Sequence, residues 1–63
     1  MNEENQKKIG ELLKKHKEGL TIVDISKELK LTRNTVSILL AFMEGSEKIT
    51  VRPVGKAKLH YLK

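Results

Sequence analysis

The sequence predicts an α+β fold that is mostly α, with three helices followed by a C-terminal β-hairpin. Two spacings of apolar residues carry this prediction. Up to residue 44 they recur every three or four positions, as on the buried face of a helix, and from residue 48 they recur every second position, as in a half-buried strand. With 63 residues, no internal repeat and no linker, the chain is expected to form a single domain over residues 1–63.

The first helix is predicted over residues 3–18. Asn2 is a candidate N-cap, and Gly19 is expected to end the helix because glycine readily adopts the left-handed conformation of a C-terminal cap. The position of His16 on the apolar side of the helix indicates a residue at the edge of the core rather than a ligand. The apolar side is formed by Ile9, Leu12, Leu13 and His16.

A second helix over residues 21–30 and a third over residues 32–44 are separated by a very short turn, Lys30-Leu31-Thr32. Thr21 with Asp24 three residues later resembles a capping box, with Asp in place of the usual Glu or Gln. Thr32 is then a new N-cap for the third helix, which is expected to end before Gly45. The apolar side of this helix is formed by Val36, Leu39, Leu40 and Met43.

The hairpin is predicted over residues 48–62. Ile49 and Val51 alternate with polar residues in its first strand, and Leu59 and Tyr61 do so in its second. The stretch 53–56 is expected to be the connecting loop. This alternation predicts that His60 points outward and is exposed.

The charge distribution predicts a polyanionic partner. The formal net charge is +5, and from Lys48 to the end there are five basic residues and no acidic one. Such an asymmetry is typical of a surface that binds nucleic acid. The alternative is ordinary charge that keeps the protein in solution.

Several classes of function are not expected. The chain has no cysteine, and its two histidines are far apart, so we expect no metal, no cofactor and no disulfide. It has no apolar run of the ~20 residues that a membrane span needs, and the stretch MNEENQKK lacks the apolar segment of a signal peptide, so we expect a cytoplasmic, soluble protein. Without a catalytic motif, a binding protein is expected rather than an enzyme, with no catalytic residue.

The short turn before Thr32 has a geometric consequence. Two short helices joined so closely, each with an apolar side toward one core, form a helix-turn-helix, whose second helix can enter the major groove of DNA. A basic hairpin directly after that helix makes a winged helix. The stretches DISKELKLTRNTVSILLAFMEG and ITVRPVGKAKLHYL accordingly resemble the winged helix-turn-helix regulators of bacteria and archaea, including the arsenic-repressor and antibiotic-resistance-repressor types.

The resemblance covers residues from about 20 to 62 and has both matches and departures. It implies a three-helix winged helix-turn-helix with a C-terminal β-hairpin wing, and a transcriptional regulator that binds duplex DNA as a dimer. Ser26 stands where the family often has Ala, and Lys30 stands where it often has Gly. The strongest matches are Ile25, Leu29, Leu31, Thr35, Val36, Leu40, Gly45, Ile49 and Tyr61.

The candidate DNA-binding residues lie at the start of the third helix and in the hairpin. Arg33 can pair with guanine and Asn34 with adenine, whereas the basic residues of the hairpin can reach phosphates or the minor groove. The alternative for both groups is a solvated surface. The full set is Thr32, Arg33, Asn34, Thr35, Ser37, Ile38, Arg52, Lys56 and Lys58.

The outer face of the third helix is less basic than is usual in this family, because it carries Ile38, Ala41 and Phe42. These residues are a candidate surface for a protein partner, and winged helices also serve as interaction modules. For Phe42 we expect instead that the hairpin or the N-terminal segment folds over the ring. Binding of RNA to the same basic surface is a further alternative.

Overall fold

The computed structural model describes residues 3–63 and confirms the predicted fold class. Three helices precede a two-stranded antiparallel hairpin. The candidate cap Asn2 lies outside the described residues. The elements are α1 (Glu3–Lys15), α2 (Ile22–Leu29), α3 (Arg33–Gly45), β1 (Ile49–Val54) and β2 (Ala57–Leu62).

The helices and β1 bury one common core. Ile9, Leu13, Ile25 and Val36 are the largest fully buried side chains, and they come from all three helices. This confirms that each predicted apolar stripe faces the interior, as helical spacing requires. The remaining buried apolar residues are Leu20, Leu39, Leu40, Met43 and Ile49.

Helix α1 ends at Lys15, which is three residues earlier than predicted. The chain turns after Lys15, and the backbone N–H of Gly19 donates to the carbonyl oxygen of His16 at 3.0 Å. Gly19 has a φ of +92°, in the region that glycine adopts without strain, and a Cβ at this position would lie 2.7 Å from the ring of Tyr61. The earlier turn brings Leu20 beside β2.

His16 is half-buried at the edge of the core, as predicted. Its ring atom Nδ1 lies 3.1 Å from a carboxylate oxygen of Glu18, just before the glycine turn. A backbone hydrogen bond and the His16 ring hold the pKa of the exposed Glu18 below its ordinary value.

The hairpin turn is shorter than predicted. Residues 53 and 54 belong to β1, and the turn consists of Gly55 and Lys56 alone. Gly55 has a φ of +62°, as the first central residue of a type II′ turn requires. Pro53 is tolerated in β1 because β1 is an edge strand.

The prediction that His60 is exposed was wrong. The two-residue turn pairs Ile49 with Leu62 and Val51 with His60, so the inward positions of β1 share a face with the even-numbered positions of β2. His60 is therefore buried, with 4% of its surface exposed, and its Nδ1 lies 2.9 Å from the carbonyl oxygen of Leu20. Because a carbonyl oxygen can only accept, Nδ1 carries a proton.

A backbone bridge that the sequence did not predict joins Leu20 to His60. The N–H of His60 donates to the oxygen of Leu20 at 2.8 Å, and the N–H of Leu20 donates to the oxygen of His60 at 3.1 Å. The segment between α1 and α2 is therefore tied to β2 by an isolated bridge. This tie fixes the hairpin against the helices.

Candidate nucleic-acid interface

The turn between α2 and α3 orients α3. Lys30 is left-handed, with φ 57° and ψ 40°, and its N–H donates to the oxygen of Ser26, as does the N–H of Leu31 at 3.0 Å. These bonds close the end of α2 in the manner of a left-handed C-cap. Ser26 is small enough for its buried position, and its hydroxyl donates to the oxygen of Val23 at 2.9 Å. The end of α2 and the turn therefore accommodate Ser26 and Lys30.

The predicted N-caps of α2 and α3 are confirmed. Thr21 and Asp24 form a reciprocal capping box at the start of α2, with both bonds at 3.2 Å. At the start of α3, the hydroxyl oxygen of Thr32 accepts from the N–H of Thr35 at 3.1 Å. The hydroxyl of Thr32 also donates to the hydroxyl of Thr35 at 2.9 Å, so Thr35 is hydrogen-bonded to the cap through its side chain as well as its backbone.

Eight of the nine candidate DNA-binding residues are exposed, and only Thr35 is half-buried. The candidates on α3 are Thr32, Arg33, Asn34, Thr35, Ser37 and Ile38, and the candidates on the hairpin, which we call the wing, are Arg52, Lys56 and Lys58. No hydrogen bond or ion pair among residues 3–63 joins the two groups. Arg33 is the basic residue of the first group, whereas all three members of the second group are basic.

The start of α3 is electrostatically unlike the starts of the other helices. Helices α1 and α2 each have an acidic residue in the first turn, whereas α3 has none and carries Arg33 there. The N-terminal end of a helix carries the positive end of the helix dipole, which favours anions. Arg33 adds a further positive charge at this end of α3. Within residues 3–63, the Lys–Glu ion pairs are Glu4–Lys8 and Glu47–Lys63, and Arg33 makes no ion pair.

The wing holds one of its basic groups in a fixed direction. The guanidinium of Arg52 lies over the ring of Tyr61, 5.9 Å from its centre, which is a cation–π contact between diagonal positions of the two strands. Lys56 lies in the turn and Lys58 near it on β2, and both are exposed. The wing thus presents one oriented arginine and two flexible lysines.

The expectation that other parts of the chain cover Phe42 was wrong for the described residues. Phe42 is 60% exposed and Ile38 is 62% exposed, and neither is covered by the hairpin. Both line an open groove between α1 and α3, which we call the α1–α3 groove. Ala41 is also exposed but does not line this groove. The other residues that line the α1–α3 groove include Lys7, Gly10, Glu11, Lys14 and Leu62.

Two features of the site were missed at the sequence level. The contact between Arg52 and Tyr61 needed the strand register, which depends on a turn of two residues rather than four. The α1–α3 groove needed the position of α1 beside α3, although the alternating charges of α1 and the glycine at position 10 were visible signals. Both features arise from tertiary placement.

Comparison with known proteins gave no family model that matches the chain and no curated protein with significant sequence similarity. In the part of the chain that the structure describes, no helix is long and apolar enough to span a bilayer. In the same part, no three His, Asp or Glu side chains stand together as metal ligands would.

Proposed function

We propose that the protein binds duplex DNA in the cytoplasm and regulates transcription, with α3 in the major groove and the wing on the backbone or in the minor groove. The observation that carries this proposal is the exposed, acid-free start of α3, held by a helix-turn-helix turn and followed along the chain by a basic hairpin. Helix starts presented in this way reach base edges in winged helix-turn-helix proteins. The resemblance to that family supports the same function.

The candidate residues divide into two roles. Arg33 and Asn34 offer the bidentate donors and acceptors that distinguish base pairs in the major groove, and Ser37 lies one turn further along the exposed side. Lys56 and Lys58 offer charge to phosphates, which positions a protein without reading sequence. Arg52 is directed by Tyr61 and is the wing residue best suited to a defined contact.

A second candidate function is that of a protein-interaction module. The exposure of Ile38 and Phe42 in the α1–α3 groove favours it, because large apolar side chains gathered at the surface are typical of contact sites. The two functions share Ile38, whereas Arg33 and the basic residues of the wing do not line the groove. DNA binding remains the first proposal because it accounts for the charge of the C-terminal part.

Fluorescence anisotropy titrations test the proposal directly. The full chain is titrated into labelled duplex DNA, duplex RNA and single-stranded RNA at two salt concentrations. We expect the tightest binding to duplex DNA, with an affinity that falls steeply with salt. Tighter binding to either RNA would replace DNA by RNA as the ligand, and no salt-dependent binding to any of the three would contradict a nucleic-acid function.

A further inference from the structure

The outer side of α1 carries a charge pattern that DNA binding does not use. Glu4, Lys7, Glu11 and Lys14 follow one another at spacings of three, four and three residues, which keeps them on one side of the helix. All four line the α1–α3 groove. Their charges alternate in sign along that side, from the first turn of the helix to the last.

This alternation is self-complementary for two antiparallel copies of α1. With a twofold axis near residue 9, Glu4 meets Lys14 of the second copy and Lys7 meets Glu11 of the second copy, and the symmetry repeats both pairs. In a parallel pairing in register, each charged residue would face the same residue of the second copy, so that like charges would meet. Charge complementarity of this kind selects one orientation of two partners.

Gly10 lies in the same part of α1, close to the position of that axis, and also lines the groove. Glycine inside a helix is less favourable than alanine, and no atom lies within 4 Å of the place that a Cβ would take. Within residues 3–63, no close contact requires a glycine here. A bare backbone does allow a second helix to approach closely.

The groove also supplies an apolar contact surface. Ile38 and Phe42 lie on the α3 side of the groove and are mostly exposed, and Leu62 adds a third apolar side chain that is 42% exposed. Covering these side chains removes apolar surface from water, which drives association. Apolar residues with charged residues around them are the usual composition of a protein interface.

We propose that the α1–α3 groove is a self-association surface, in which α1 of a second copy lies antiparallel to α1 and covers Ile38 and Phe42. The second copy is the occupant because the charges of α1 complement themselves in the antiparallel orientation. The inference goes beyond DNA binding and does not depend on it. It is therefore tested without DNA.

Sedimentation equilibrium of the full chain is the first test. The wild type is expected to form dimers in a concentration-dependent manner. Lys7→Glu alone and Glu11→Lys alone should each weaken dimerisation by about tenfold or more, because the symmetry places each reversed charge against a like charge twice. The double variant Lys7→Glu/Glu11→Lys restores opposite charges and should return to within about threefold of the wild type.

Lys27→Glu is the matched control for this test. It changes the net charge by the same amount as Lys7→Glu, and Lys27 is exposed on α2 and does not line the groove. It should leave dimerisation unchanged. A wild type that stays monomeric at millimolar concentration, a dimer that tolerates both single reversals, or a double variant that does not recover would each overturn the proposal.

Gly10→Gln is an independent test of the close approach. Glutamine favours helix more than glycine, and the space around position 10 is open in one copy, so helix content measured by circular dichroism should stay equal or rise. The added side chain stands between the two helices, so dimerisation should weaken by at least tenfold. A Gly10→Gln protein that dimerises like the wild type would overturn the proposed interface.

Discussion

At the scale of single residues, Gly19 and Gly45 show how different two glycines can be. Gly19 is left-handed and faces the ring of Tyr61, whereas Gly45 ends α3 with open space around it. We expect Gly19→Ala to lower the free energy of unfolding by about 2–4 kcal/mol, from left-handed strain and the displaced ring. Urea denaturation measures the change. Gly45→Ala is the control and should be neutral or stabilising, and equal losses in both variants would contradict this account.

The start of α3 and the wing are expected to contribute to DNA binding in different ways. Arg33→Ala should reduce discrimination at particular base pairs by about 1–3 kcal/mol, because a bidentate contact to a base edge is lost. Lys56→Ala should weaken binding to all duplexes alike, since a flexible lysine in a turn offers only charge. The measurement is anisotropy titration against a set of duplexes that each differ at one base pair. An Arg33→Ala variant that loses the same affinity on every duplex would remove Arg33 from base recognition.

At the scale of elements, the helices were predictable because their signals are local. Apolar spacing and the caps Thr21 and Thr32 placed α2 and α3 to within one residue at each end. The end of α1 could not be predicted from local sequence signals, because it depends on the pairing of Leu20 with β2. The orientation of His60 follows from strand pairing, because a connection with an even number of residues places the odd-numbered positions of β1 opposite the even-numbered positions of β2. The alternation of Leu59 and Tyr61 alone was therefore the wrong guide to the inward face of β2.

The candidate site was predictable to a similar degree. The sequence placed the DNA-binding candidates at positions that are exposed, apart from Thr35, because they lie off the apolar stripe of α3 and in the hairpin. It did not predict that Ile38 and Phe42 line a groove together with residues of α1, because the packing angle between two helices cannot be read from either helix alone. Which molecule the exposed residues bind remains a prediction.

Two exposed residues on the outer face of α3 are expected to respond differently to the same substitution. Ile38 lines the α1–α3 groove and Ala41 does not, although both are exposed on the same helix. Ile38→Lys should abolish dimerisation measured by sedimentation, because it places an unpaired charge in an apolar contact. Ala41→Lys should leave dimerisation unchanged. If Ile38→Lys instead changes only the preferred base at one position of a DNA duplex, Ile38 belongs to the DNA-binding surface.

At the scale of the whole molecule, the charge and the proposed dimer combine in the salt dependence of DNA binding. If each protomer neutralises about four phosphates, a dimer neutralises about eight, and a plot of log affinity against log salt should have a slope near −7. A monomer bound through the same contacts would give a slope of about half that value. Titrations at four or more salt concentrations therefore report on the ligand and on the number of protomers together.

Substitutions locate the source of that slope. Lys56→Ala and Lys58→Ala should each make the slope shallower by about one per protomer, because each removes one phosphate contact. Lys15→Ala is the control, since Lys15 is an exposed lysine of α1 and is not among the candidate DNA-binding residues, and it should leave the slope unchanged. The dimer-weakening variant Lys7→Glu should shift the slope toward the monomer value at low protein concentration while leaving the contacts of each protomer intact. A measurable affinity with a slope near zero would exclude binding through phosphates.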